Sequence, residues 1–331
     1  MVDLNIKLPE SFFQEEERDG YLVSAKTKEF WAVELDLLNE FDRVCKEHNL
    51  KYILDFGTLL GAIRHKGFIP WDIDIDVSMV RDDFDKLLEI GPHEFRHPYF
   101  FQNQRTEIAF DMDVTRLRRT DTTAMNINDV LYGNSYNQGI FLDIDVFDYV
   151  PTNDRAVVEK YHRKCKKHSK AMYAISHRPT FGGWNRPTAL KMLHYIAYKL
   201  RYSNLQNASQ RLDQDSMQFD RSDYVCCLHS NIDTWCRDRK VYEDIIEVPF
   251  ENLMLPVPAA FDEVLTQCYG DYMTPVIDRR KIMIYVDTNR SYLDVIQEKG
   301  YCERICKENF INPKDYEMGL FDFIKYKLRI E

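Results

Sequence analysis

The sequence predicts a mixed α/β (α+β) fold, in which a sheet core carries a helical insertion and is completed by a C-terminal segment. Three observations predict it. Short apolar runs alternate with helical periodicity over about the first 150 residues, a purely helical pattern follows from about Asp154 to Asp215, and strand-like runs return from Tyr224. The 331 residues can bury a sizeable core, and they contain no internal repeat or low-complexity linker.

The same patterns divide the chain into four segments. We expect a polar, acidic N-terminal arm at residues 1–21 and an α/β core at 22–152. A helical region at 153–215 follows, and a C-terminal segment at 216–331 is expected to pack on the core.

The elements of the core follow from periodicity and from residues that begin or end helices. An amphipathic pattern predicts a long helix, and Gly57-Thr58 separates a short strand from a short helix capped by Thr58. Gly91-Pro92 is expected to end a further helix. The predicted elements are a helix at Thr27–His48, a strand at Lys51–Leu54, helices at Leu59–His65 and Arg81–Ile90, strands at Tyr99–Phe101 and Asp113–Ala124, and later a helix from Phe261.

Charge and cysteine content limit the class of protein. The formal net charge of −10 argues against a general nucleic-acid surface, so an anionic nucleotide would need a local cationic pocket or a metal. The N-terminus does not resemble a signal peptide, and no apolar run approaches a membrane span. We therefore expect a cytoplasmic protein whose eight cysteines are free thiols. The spacing of Cys226, Cys227, His229 and Cys236 fits no standard zinc pattern.

The segment Asp72–Val77 alternates carboxylate and aliphatic residues. As a strand it would bury Ile73, Ile75 and Val77 and place Asp72, Asp74 and Asp76 on the opposite face, with the charges roughly 6–7 Å apart. Like charges at that spacing oppose folding, and a hard divalent cation with oxygen ligands cancels them. The alternative is an edge strand with a solvated acidic face.

The residues just upstream favour the metal. A strand, the Gly57-Thr58 turn and a helix N-terminus together offer backbone N–H groups to a phosphate. Arg64, His65 and Lys66 add positive charge. A phosphate cradle next to paired carboxylates is the arrangement that metal-dependent phosphoryl transfer requires.

Tyr52–Val77 resembles the signature of the LicD/fukutin family, nucleotidyltransferase-fold enzymes that transfer a phosphorylated alcohol from a CDP-linked donor to a glycan. The similarity begins near Leu22, and it resumes at Gly139–Ile144 and again at Pro249–Pro275. Two departures stand out. The family usually has two glycines where this chain has Phe56-Gly57, and it often has histidine where this chain has Arg279-Arg280-Lys281.

The resemblance implies a nucleotidyltransferase-type mixed-sheet core with assigned site residues. Mg²⁺, or Mn²⁺, would be held by Asp74, Asp76 and Asp143, and Asp72 would be a further ligand or a general base. The CDP-linked donor would be bound by Gly57, Thr58, Arg64, His65 and Arg118. From the residues alone, Arg116 and Arg118 share a strand face that suits a phosphate, with ion pairs to nearby aspartates as the alternative.

The implied reaction is magnesium-dependent transfer of phosphocholine, or a related alcohol phosphate, to a sugar hydroxyl of a surface glycan or its precursor, with release of CMP. Such glycans include lipopolysaccharide, capsule and teichoic acid. The partners would be CDP-choline or another CDP-alcohol and a glycan or glycolipid acceptor, with peripheral contact at the inner membrane face. Two alternatives remain: a metal-dependent glycosyltransferase using a nucleotide sugar, and a non-catalytic nucleotide-binding protein of the same fold. The Gly57-Thr58 turn argues against the first, and the retained carboxylates argue against the second.

The alcohol on the donor is predicted to be choline. Tyr132, Tyr136 and Trp184 lie in polar loops and would offer aromatic faces to a trimethylammonium group. Asn134, Asn137 and Gln138 would equally suit a polyol. The basic stretch His162–Lys170 is interpreted as a solvated helix face, with an anionic acceptor or lipid headgroup as the alternative. We expect the amphipathic helix around Leu190–Ile196 to pack on the core.

Overall fold

The computed structural model describes residues 1–126, 129–130, 136–176, 186–228, 236–277 and 284–308, with only the backbone of 186–191. It confirms a mixed α/β fold with a sheet core. The helices are α1 (Ala25–Glu47), α2 (Phe56–His65), α3 (Arg81–Glu94), α4 (Arg155–Ser176), α5 (Arg186–Tyr202), α6 (Leu205–Ser216), α7 (Phe261–Tyr269), α8 (Tyr292–Gln297) and α9 (Tyr301–Glu308). The strands are β1 (Glu16–Arg18), β2 (Tyr21–Val23), β3 (Ile53–Leu54), β4 (Asp76–Val80), β5 (Tyr99–Gln102), β6 (Thr115–Arg119), β7 (Thr123–Asn126), β8 (Ile140–Val150), β9 (Tyr224–Cys226), β10 (Cys236–Asp238), β11 (Ile245–Phe250), β12 (Leu253–Pro258) and β13 (Ile284–Asp287).

Strand β8 is the centre of a mixed sheet that has seven strands within the described residues. One edge of β8 pairs in parallel with β4, which places Asp76 beside Asp143. The other edge pairs antiparallel with β6 and, further along, with β9, so that β10 and β9 extend the sheet. The apolar run of β8 leaves nearly every residue buried, as expected of a central strand.

Helix α1 covers this sheet. Its N-cap Ser24 accepts a hydrogen bond from the backbone N–H of Thr27, and the helix packs against β6 and β8. The apolar stripe predicted from periodicity is buried, and its members are Phe30, Val33, Leu37, Phe41 and Val44. The core of the molecule therefore lies between α1 and the sheet.

The remaining elements pack around this core. Helices α4, α5 and α6 enclose an apolar cluster of their own that includes Val158, Cys165 and Leu212. The β11–β12 hairpin lies against α2, and β13 pairs with β7. The N-terminal arm forms the β1–β2 hairpin. None of the described helices is both long and apolar enough to cross a membrane, and all eight cysteines carry free thiols.

Several predicted boundaries are wrong. Helix α3 continues through Gly91-Pro92 to Glu94. Gly91 lies inside the helix and allows close packing there, since a Cβ at this position would lie 2.8 Å from the Cδ1 atom of Phe101. The single strand predicted at Asp113–Ala124 is divided into β6 and β7 by a turn in which the Thr122 amide donates to the Arg119 carbonyl.

Two side-chain placements also differ from expectation. Leu193 and Ile196 of α5 are exposed rather than packed on the core. Tyr136, expected in an open loop, is buried against Phe110 and donates to Asp129. Tyr132, Asn134, Trp184, His229 and Arg279–Lys281 lie outside the described residues.

Candidate active site

Helix α2 begins at Phe56, three residues before the predicted start at Leu59. Asp55 is the N-cap instead of Thr58, and its carboxylate accepts a hydrogen bond of 2.8 Å from the Phe56 amide. Arg237 holds the same carboxylate through two hydrogen bonds, and Ser78 donates to it at 2.6 Å. The sequence analysis did not identify Asp55 or Arg237 as part of the site.

Phe56 has a φ of 46°, in the left-handed region that favours glycine. This is the first of the two positions where the LicD/fukutin signature usually has glycine. The phenyl ring is buried and lies near the Arg237 guanidinium, at 5.7 Å from the ring centroid. Phe56 therefore combines a backbone conformation that favours glycine with a buried side chain.

Gly57 and Thr58 connect this turn to the acidic segment. A Cβ on Gly57 would lie 2.9 Å from Oδ2 of Asp72, so the missing side chain leaves room for that carboxylate. The Oγ1 of Thr58 accepts a hydrogen bond of 2.8 Å from the amide of Asp76. The N-terminus of α2 and the start of β4 are thus fixed to one another.

The acidic alternation lies mostly before the strand. The structure begins β4 at Asp76, and residues 72–75 have no strand structure. Ile75 and Val77 are buried as predicted, whereas Ile73, outside the strand, is only partly buried. Partial burial, the charge of Asp72 and a hydrogen bond with it raise the pKa of Asp74 to about 8. Because Asp74 is exposed to solvent, we attribute its raised pKa mainly to the charge of Asp72 rather than to burial. Burial and the charges of Asp74 and Asp143 raise the pKa of Asp76 well above its usual value.

Asp143 faces Asp76 across the β4–β8 pair but is already engaged. Its Oδ1 accepts a hydrogen bond of 2.6 Å from Nε of Arg116, whose guanidinium lies 3.9 Å from the Phe141 ring centroid. In the part of the chain that the structure describes, no three carboxylate, histidine or cysteine side chains are grouped closely enough to hold one metal ion. The structure therefore joins Asp72 and Asp74 by a hydrogen bond, leaves Asp76 near enough to be affected by the charge of Asp74, and pairs Asp143 with Arg116.

The predicted cationic groups lie away from the turn. Arg64 and His65 are in the last turn of α2, where Arg64 donates to the Tyr272 carbonyl at 2.7 Å and His65 contacts Asp19 at 2.9 Å. Burial and the charge of Arg64 lower the pKa of His65. Their role in binding a CDP-linked donor stays a prediction.

Arg118 is buried inside the sheet. It donates to Gln102 and, at 2.6 Å, to the Gly139 carbonyl. Burial and the charge of Arg116 lower the pKa of Arg118 to about 9. These contacts hold Arg118 to neutral groups, so a role in binding the CDP-linked donor also stays a prediction.

Glu34 of α1 is a further carboxyl group next to this site. It is fully buried, and burial together with the charges of Asp74, Asp72, Asp76 and Asp143 raises its pKa well above the usual value. The signal for it was present in the sequence. A glutamate four residues after Phe30 and three before Leu37 interrupts an otherwise apolar stripe.

Comparison with known proteins shows which family this site resembles. The LicD/FKTN/FKRP nucleotidyltransferase domain matches residues 49–188, which include the α2 turn, Asp74, Asp76 and Asp143. The lipopolysaccharide cholinephosphotransferase LicD of Haemophilus influenzae is 28% identical over 245 residues, covering 72% of this chain and 88% of that protein. The chain is thus similar to the LicD/fukutin family, through the domain match at residues 49–188 and the longer match to the Haemophilus influenzae protein.

Two shorter matches involve further proteins. Uncharacterized proteins of Rickettsia prowazekii and Rickettsia typhi are 39% and 40% identical over 56 residues, or 17% of this chain.

Proposed function

We propose that this LicD-like chain transfers phosphocholine from CDP-choline to a sugar hydroxyl of a surface glycan or its precursor, such as lipopolysaccharide, and releases CMP. The observation that carries the proposal is the hydrogen bond between Thr58 and Asp76, because it joins a helix N-terminus to a carboxylate pair. The similarity to the Haemophilus influenzae enzyme supports the phosphocholine group and the glycan acceptor.

The carboxylates suit a magnesium ion. Mg²⁺ is usually bound by one or two carboxylates together with substrate phosphates, so Asp74 and Asp76 are sufficient as protein ligands. Besides burial, repulsion by neighbouring carboxylates raises the pKa of both groups, and a divalent cation relieves that repulsion. Asp143 would become a further ligand of the ion after releasing its ion pair with Arg116. Bound there, the ion would lower the pKa of the acceptor hydroxyl and offset charge on the transferred phosphoryl group.

The chain's own groups have separate tasks. The positive end of the α2 dipole, at the first turn of the helix, binds the diphosphate of the CDP-linked donor, and Gly57 lets the phosphate approach the backbone closely. Asp72, hydrogen-bonded to Asp74, accepts the proton of the sugar hydroxyl. The fixed position of the α2 turn, held by Arg237 through Asp55, orients these groups for in-line transfer.

We also propose that the helical region rests on an anionic membrane surface, where a glycolipid acceptor would be found. Between Arg155 and Tyr202 the chain has twelve Lys or Arg residues and one acidic residue, Glu159, although the whole protein has a net charge of −10. On α5, Leu193 and Leu200 are 63% and 81% exposed. Basic residues beside an exposed apolar stripe are typical of helices that lie on anionic lipid.

Vesicle sedimentation tests this second proposal. The protein should sediment with phosphatidylglycerol vesicles and not with phosphatidylcholine vesicles, and Leu200→Glu should weaken the binding. Leu22→Glu is the matched control, since Leu22 is 61% exposed in the N-terminal hairpin. Equal binding to both lipids, or an equal loss in both variants, would contradict the proposed surface.

Thermal stabilisation tests the alcohol on the donor. With Mg²⁺ present, CDP-choline should stabilise the protein by at least about 1 kcal/mol more than CMP, and more than CDP-ribitol or CDP-glycerol. Equal shifts for all four ligands would mean that only cytidine and phosphate are recognised, and the choline assignment would be wrong. Trp184→Ala should remove the margin, whereas the burial of Tyr136 excludes it as an open aromatic face.

A further inference from the structure

Glu34 is a buried carboxyl group to which the fold supplies no hydrogen bond. It lies in the middle of α1 with an exposed fraction of 0%. Among the described residues, neither of its carboxyl oxygens has a hydrogen-bond partner. Burying an unpaired polar group is unfavourable even when the group is neutral, so an apolar residue of similar size would suit this position better for stability alone.

The neighbouring acid on the same helix shows that the fold can satisfy such a group. Asp36 is equally buried, and it accepts hydrogen bonds from Tyr99 at 2.7 Å, from the amides of Asn5 and Ile6, and from Arg119. Glu34, two residues earlier, has none of these. The absence of partners around Glu34 is therefore local to the side of α1 that it occupies.

That side of α1 faces the acidic segment. Trp31, one turn before Glu34, donates its indole N–H to the carbonyl of Asp72 at 3.0 Å. Residues three apart on a helix share a face, so Glu34 is directed towards the same segment. The charges that act on Glu34 are those of Asp74, Asp72, Asp76 and Asp143, in that order.

We propose that Glu34 is a further carboxylate of the cation site, which accepts a hydrogen bond from a water molecule on the divalent ion held by Asp74 and Asp76. This inference rests on the proposed function, because it requires a cation at the acidic pair. A hard divalent cation satisfies a carboxylate that is surrounded by other carboxylates and lacks hydrogen-bond donors. Full burial leaves little room for a larger organic cation at Glu34 itself.

The test is Mn²⁺ binding by the full-length, metal-free protein, followed by electron paramagnetic resonance and by the melting temperature with and without Mn²⁺. Glu34→Gln keeps the shape of the side chain and should weaken Mn²⁺ binding at least tenfold. Glu34→Leu should melt at the same temperature as the parent or higher without metal, and lose most of the Mn²⁺-induced shift. Glu47→Gln is the control, because Glu47 is an exposed residue of the same helix and its variant should bind Mn²⁺ as the parent does.

Two results would overturn the inference alone: parent-like Mn²⁺ affinity in Glu34→Gln, or a Glu34→Leu protein that is unfolded or clearly less stable without metal. Either result leaves Mn²⁺ binding by the parent intact, so the proposed function stands. A parent protein that binds no Mn²⁺ would instead overturn the metal in the proposed function, and with it the role of Glu34.

Discussion

Arg237 and Asp55 form a two-point ion pair beneath the first turn of α2, with nitrogen–oxygen distances of 2.6 and 2.9 Å. Both side chains are almost fully buried, at 2% and 0% exposed. The pair joins β10, far along the chain, to the N-cap of the helix that is proposed to bind phosphate. The second half of the chain is therefore part of the scaffold of the site.

Arg237→Ala should lower the free energy of unfolding by about 3–5 kcal/mol, because it removes the cation that balances the buried charge of Asp55. Denaturant unfolding measures the loss. Arg43→Ala is the control: Arg43 pairs with Glu40 and Glu47 on the surface of α1, and its removal should change stability by only about 0–1 kcal/mol. Similar losses in the two variants would mean that the buried pair is not what holds the turn.

Gly57→Ala should leave the protein folded, with stability within about 1 kcal/mol of the parent, since alanine favours a helix. Its methyl group would lie 2.9 Å from Oδ2 of Asp72 and displace that carboxylate, so transfer should fall at least tenfold. Initial rates and a melting curve on one preparation check both statements.

The comparison variant for Gly57→Ala is Gly61→Ala. A methyl group there would overlap the backbone carbonyl of Gly67, which cannot rotate away, and we expect a loss of about 1–3 kcal/mol in stability. Full transfer activity in Gly57→Ala would show that neither the phosphate nor Asp72 needs the space at that position.

Asp74→Asn and Asp76→Asn should each abolish transfer while changing metal-free stability by no more than about ±1 kcal/mol, because relief of repulsion offsets small packing losses. Added Mg²⁺ should raise the melting temperature of the parent and not of these variants. An Asp76→Asn protein that does not fold would show that the acidic face is structural.

The metal-free protein should lose stability as the pH rises from about 5 to 8. The pKa of Asp74 and that of Asp145 are raised from 3.8 to about 8 in the folded protein. The folded state therefore binds more protons than the unfolded state, so the stabilisation is complete below about pH 4 and is lost as the pH passes through 8. Urea titrations at several pH values measure this slope.

Asp145→Asn should make that pH dependence shallower, because burial of Asp145 and its repulsion by Asp143 are the main causes of its raised pKa. The exposed Asp244 provides the control variant, Asp244→Asn, whose slope should match the parent. A parent protein that gains stability between pH 5 and 8 would contradict the stated direction.

The alternation of Asp72–Val77 correctly predicted the burial of Ile75 and Val77, but not the partial exposure of Ile73 or the start of the strand. Helix α2 starts directly after the two-residue strand β3, so the residues before Asp76 have no strand neighbour on that edge. Hydrophobic periodicity indicates which side chains share a face of a strand. How far the hydrogen-bonded ladder extends depends on the neighbouring element. This is why a strand of six residues was expected and β4 begins at Asp76.

Pairings between distant residues were beyond the sequence. Arg237 and Asp55 are 182 positions apart, and nothing local to either residue indicates the other. The ion pair of Arg116 with Asp143 was open as an alternative to phosphate binding, and the strand register decides it. Glu34 differs, because a charged residue on an apolar stripe is visible in the sequence.

The central claim is transfer of a phosphorylated alcohol with release of CMP. In the most direct measurement, the purified protein is incubated with CDP-choline, Mg²⁺ and a lipopolysaccharide-derived oligosaccharide. The released nucleotide is identified by chromatography and the modified sugar by mass spectrometry. We predict CMP and a phosphocholine-bearing sugar, both dependent on Mg²⁺ and both absent with Asp76→Asn. Unchanged CDP-choline, together with release of a nucleoside diphosphate from a nucleotide sugar, would contradict the account and favour a glycosyltransferase.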